Sequence, residues 1–159
     1  MDNTESVLGS KASTALFNSI KINGSATLVS PAVLNVRGDF TNSGAFNAGV
    51  NAISFGGTTA QSILGTTNTQ FYQLIVNKST NPVTVGTAST VTNTLTLTAG
   101  SISNASNLLT MGSGSTIIRA NGTITGLVRL VHLGMSNIWG GEDHCSRDTN
   151  CRKCYDRYG

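Results

Sequence analysis

The 159-residue chain is short of charge, of proline and of long apolar runs. Charged side chains are 11% of it, 10 basic against 7 acidic, where about 25% is usual for soluble domains. That scarcity excludes a coiled coil or a helical bundle, which needs many Glu, Lys and Arg beside Ala and Leu. Classical disorder fits poorly too, because it goes with high net charge and low hydrophobicity. Here the net charge is +3 and 38% of the residues are hydrophobic. No run approaches the roughly 18 apolar residues of a membrane-spanning helix, so membrane insertion is not expected. The basic excess is small and scattered, with no stripe of the kind a nucleic-acid partner requires. Cysteine is absent from residues 1–126, so no disulfide is available there. The start, Met1-Asp-Asn-Thr-Glu-Ser6, carries two acids and neither a basic nor an apolar signal region. The chain is then either cytoplasmic or an internal piece of an exported protein whose signal lies upstream.

Acidic residues are scarcest where catalysis would need them. Residues 6–126 contain one carboxylate, Asp39, and no histidine. Glycoside hydrolysis needs two carboxylates flanking one bond, and that pair is arithmetically unavailable in this stretch. Ser and Thr are plentiful, but nothing beside them supplies the base that would make a nucleophile of a hydroxyl. The body therefore reads as non-enzymatic.

What is present is small and polar. Thr, Ser, Gly and Asn number 22, 18, 18 and 16, close to half of all residues. Four Asn-x-Ser/Thr sequons (Asn23, Asn77, Asn104, Asn121) are about what such a composition gives by chance. Short alternating runs recur: Ile20-Lys-Ile22, Leu34-Asn-Val36, Ile53-Ser-Phe55, Val83-Thr-Val85 and Leu95-Thr-Leu97. Period-two alternation marks half-buried strands, and the Gly- and Asn-rich groups between them supply turns. A larger repeat is visible as well. Phe17–Asn23 aligns with Phe71–Asn77 at an offset of 54 residues, and Leu34–Phe40 with Leu95–Ile102 at an offset of 61.

Strands of three to five residues cannot satisfy their own backbone, but stacking one coil on the next does so. Inward Ile, Val, Leu and Phe then form one apolar column, and insertions fall in corner loops. The fold expected is an all-β parallel β-helix, or solenoid, of about five coils over residues 12–126 with a period of roughly 20–25 residues. The alternative is a β-sandwich, which would show longer strands at regular 8–12-residue spacing.

Three stretches carry a resemblance: Gly38-Asp-Phe-Thr-Asn-Ser-Gly-Ala-Phe-Asn-Ala-Gly49, Phe71-Tyr-Gln-Leu-Ile-Val-Asn-Lys-Ser79 and Val91-Thr-Asn-Thr-Leu-Thr-Leu-Thr-Ala-Gly-Ser-Ile102. Over roughly residues 14–130 the chain resembles the large secreted surface repeat proteins of Bacteroidetes-type bacteria, in the order of the units as well as their content. The resemblance implies a right-handed parallel β-helix, export to the cell surface and membership of a much longer chain. It also implies an adhesin-like or structural role, with neighbouring repeats and glycans or other surfaces as partners. No catalytic residue is carried over. A carbohydrate-active β-helix whose catalytic coils lie outside this chain is the alternative, since the fold alone does not exclude it.

Composition divides the chain into an N-terminal extension (1–11), a repeat body (12–130) and a Cys-containing tail (131–159). Nine of the 17 charges, all three cysteines, both histidines and the one tryptophan lie in residues 127–159. The tail departs from the family pattern from about His132. It offers His144, Cys145, Cys151 and Cys154, a set that can hold zinc tetrahedrally, although the adjacent His-Cys pair lacks the usual ligand spacing. An accessory or disordered tail and a frameshifted 3′ end are the competing readings. Arg37-Gly38-Asp39 is a tripeptide that some adhesion receptors read; as a strand end followed by a turn it needs no receptor.

Overall fold

The computed structural model describes residues 14–131 and a two-residue strand at His144–Cys145. The described residues contain strands and turns but no helix. Parallel strands are wound into a β-solenoid of about six turns with three walls. Turn one is β1 (Thr14–Phe17), β2 (Ile20–Ile22) and β3 (Thr27–Val29). Turn two is β4 (Val33–Val36), β5 (Phe40–Asn42) and β6 (Ala45–Asn47). Turn three is β7 (Ala52–Gly57), β8 (Gln61–Gly65) and the first part of β9 (Thr69–Lys78). The rest of β9, then β10 (Val83–Val85) and the start of β11 (Ser89–Ala99), make turn four. The remainder of β11 and both parts of β12 (Ser101–Met111) make turn five, and β13 (Thr116–Arg119) and β14 (Thr123–Leu130) make turn six. Finally β15 (His144–Cys145) pairs antiparallel with β14 at Val128 and Arg129.

Alternation within each short strand writes the register. On the first wall Ala15, Leu34, Ile53, Leu74, Leu95 and Ile117 stack in one column. Beside it run Phe17, Val36, Phe55, Val76, Leu97 and Arg119. Phe71, Val91, Met111 and Leu130 form the third wall's column. The middle members of these columns are fully buried, each removing about 1.5–3 kcal/mol worth of apolar surface from water. Outward positions carry Ser, Thr, Asn and Gln, as in the ladder Ser62, Thr84, Ser103 and Thr125 on the second wall. Every strand pairing among the described residues is parallel except that of β14 with β15. A sandwich of antiparallel sheets is thereby excluded.

Three expectations need correction. First-wall partners are 19 to 22 residues apart in sequence, so the body makes about six turns and not five. The period is short because some corners use no loop. β9, β11 and β12 are 10 or 11 residues long and bend from one wall to the next, in place of two runs of three to five. The repeat alignments differ in standing. Leu34 and Leu95 share a column three turns apart, as the 61-residue offset requires. Phe17 belongs to the first wall and Phe71 to the third, so the 54-residue alignment is out of phase by one wall.

Tight corners are set by a few residues. Gly65 adopts φ +128° where its Cα passes against the Asn42 carbonyl one turn away; a side chain there would collide with backbone. Asn81 is the non-glycine residue at positive φ among the described residues (58°). Its Nδ2 donates to Thr58 O at 2.8 Å, the local bonding that lets Asn accept this conformation.

Candidate functional site

The third wall is split. β3 and β6 form a two-stranded sheet of their own, and β6 is not hydrogen-bonded to β9, the next strand on that wall. Aromatic contact bridges the split instead. The Phe46 ring lies 5.2 Å from Phe40, edge-on at 75°, and 5.9 Å from Phe71. Phe40 and Phe71 are themselves 5.8 Å apart and fully buried. Three rings in mutual contact fix Phe46 as a wall rather than a mobile flap.

A groove of about 340 Å³ opens outside these rings, lined by Phe46, Asn47, Ala48, Gly49, Gln70, Tyr72 and Thr92. Chain geometry explains its shape. Five residues, Ala48 among them, lead from β6 to β7 with Gly49 at φ +55°, whereas β9 rounds the next corner without a break. The longer corner stands out as a lip beside Tyr72. Asn47 Oδ1 accepts from the Gly49 amide (3.1 Å), leaving Nδ2 as a donor. Thr92 Oγ1 donates to Phe71 O at 3.2 Å. The Gln70 carboxamide and the Tyr72 hydroxyl make no hydrogen bond among the described residues.

A second polar cluster is internal. Lys78 and Gln61 are both 1% exposed, at the corner joining the first and second walls. Gln61 Nε2 donates to Val36 O and Gly38 O, each at 2.9 Å. Lys78 Nζ donates to Gln61 Oε1 at 2.7 Å and to Thr59 O at 2.6 Å. Burial lowers the lysine's pKa from its ordinary 10.5, because desolvation penalises the ammonium and no carboxylate sits beside it. Its donors are committed to bridging three successive turns, so Lys78 acts as a pin between coils.

The tail residues fall differently. His144 and Cys145 lie on β15 against β14, while Cys151 and Cys154 are outside the described residues, as are residues 1–11 and His132. The structure therefore does not bring the four zinc candidates together or apart. Among the described residues no three His, Cys, Asp or Glu side chains cluster. Arg37-Gly38-Asp39 forms the corner between β4 and β5. Gly38 N donates to Asn18 O, Asp39 N to Ser19 Oγ (3.1 Å), and Asp39 Oδ1 accepts from Ser62 N (2.8 Å). The tripeptide is thus bonded to the turns on both sides.

Sequence reasoning missed the groove and the lysine pin. Alternation carried a signal for Lys78, which follows Leu74 and Val76 in period two and so faces inward. The groove left none, since it depends on a missing strand pairing.

Comparison with protein-family models, with curated proteins and with solved structures returns no match. The functional reading rests on the chain's own residues.

Proposed function

We propose that the chain is a non-enzymatic, structural and adhesive segment of a secreted bacterial cell-surface repeat protein, a stalk whose walls contact glycans or another surface. One observation carries the reading: an apolar column runs through about six turns while the outward positions carry mostly neutral Ser, Thr, Asn and Gln. Such a body is stiff along its axis and accepts further coils at its ends. Its outer surface offers many hydroxyls and amides and little charge. Asp39 is the one carboxylate within residues 14–131 and is tied to Ser62 N. Lys78, the one buried cation, is spent on its two carbonyl acceptors.

The test is location. In cells producing the native chain, protease treatment of intact cells should remove the segment, and antibody should label it without permeabilisation. Protection from protease until lysis would overturn the surface assignment.

A further inference from the structure

We propose that the split in the third wall is a binding site for a neutral sugar ring at the end or along the edge of a glycan. This inference rests on the adhesive reading above and names its ligand class and its site. The groove has one rigid aromatic wall, Phe46, held by Phe40 and Phe71 at 5.2 and 5.9 Å. Tyr72 supplies a second aromatic ring to the same lining. A pyranose has apolar C–H faces and a rim of hydroxyls, each both donor and acceptor. The uncommitted groups suit that rim: Asn47 Nδ2 as donor, the Gln70 carboxamide as donor and acceptor, and the Tyr72 hydroxyl as either. None of the seven lining residues is charged, so a sialate, uronate or sulfated sugar would enter without a counter-charge and lose its hydration.

The volume, about 340 Å³, is at the small end of ligand sites and suits one or two rings rather than a long oligosaccharide. An inserted peptide strand is the competing occupant of a gap in a sheet. It would need the flanking strands at about twice the usual 4.7–4.9 Å spacing. With Phe46 and Phe71 in ring contact that space is filled, and the occupant must sit outside the rings.

Binding is expected to be weak for one site, with Kd near 1 mM, and to gain strength only when repeats act together. The experiment uses the full 159-residue chain in ligand-observed NMR with methyl glycosides of glucose, galactose, mannose and N-acetylglucosamine. Sialic acid and glucuronic acid serve as the charged set. At least one neutral glycoside should bind, with little change between low and high salt, while the charged set does not. Tyr72→Ala and Gln70→Ala should each weaken that binding about tenfold or more, and Thr90→Ala, on the same wall one turn along from Gln70, should not. Far-UV circular dichroism of each variant checks that the solenoid is intact. Unchanged binding in both groove variants would overturn this site and leave the adhesive reading standing. Preference for the charged set would overturn the ligand class. Silence across all six sugars would overturn both the site and the glycan-contacting part of the reading, leaving a stalk.

Discussion

Replacing Lys78 with Met removes the ammonium but keeps a stem of nearly the same length in a site that is 1% exposed. Gln61 Oε1 then loses its buried donor at 2.7 Å, and Thr59 O, nearer solvent, loses the one at 2.6 Å. An orphaned buried acceptor costs about 1–3 kcal/mol. The relief of no longer desolvating a cation offsets part of this, which leaves a net loss of about 1–2 kcal/mol at neutral pH. Lys78→Ala also removes three buried stem carbons at about 0.8 kcal/mol each, so its loss should be about 3–4 kcal/mol. Urea melts followed by far-UV circular dichroism measure both. The pH dependence has a fixed sign. Because burial lowers the pKa from 10.5, the folded state holds fewer protons than the unfolded chain between the two values, so stability rises with pH there. The cost of burying the charge is fully present below the folded value and is gone above the unfolded one. The gap between wild type and Lys78→Met should therefore widen as pH is raised from neutral towards 10.5. A Met variant as stable as wild type, or a gap that narrows with rising pH, would refute the pin.

Two glycines should behave oppositely when changed to Ala. Gly65, at φ +128° against the Asn42 backbone, should lose about 3 kcal/mol or more, whereas Gly114, at φ +73° with nothing within 4 Å, should lose about 1 kcal/mol from backbone strain alone; thermal melts of both variants decide it. Phe71→Ala removes the ring between Phe40 and Phe46 and should cost about 3–5 kcal/mol. It should also loosen Phe46, seen as greater protease sensitivity at the β6–β7 corner, and a cut pattern unchanged from wild type would contradict the account of the groove wall.

The fold was legible because a solenoid repeats its rule at every turn. Leu34-Asn-Val36 and Leu95-Thr-Leu97 are the same wall three turns apart, and alternation alone places their side chains. Phase was harder to read. Phe17-Asn-Ser-Ile20 resembles Phe71-Tyr-Gln-Leu74, yet two residues separate β1 from β2 while β9 runs through the matching stretch unbroken. A corner without a loop looks like any other alternating run, so the number of turns was underestimated. In β11 a register shift between Val91 and Thr94 is absorbed inside the strand, which no turn residue announces. The groove escaped for a different reason. Pairing between β6 and β9 fails in three dimensions, through the lip at Ala48 and the three-ring contact, and neither is written in any one segment.

Each turn of this body rests only on its neighbours, and that has a mechanical consequence. Six turns at the spacing of paired strands, about 4.8 Å, give a height of about 29 Å. The same stretch, residues 14–131, would span about 400 Å if drawn out at about 3.4 Å per residue. Tension applied to the two chain ends loads the outermost turns first, and each that peels away releases roughly 20 residues of slack. Under load the solenoid is a spool, short at rest and able to pay out more than ten times its height before the chain is taut.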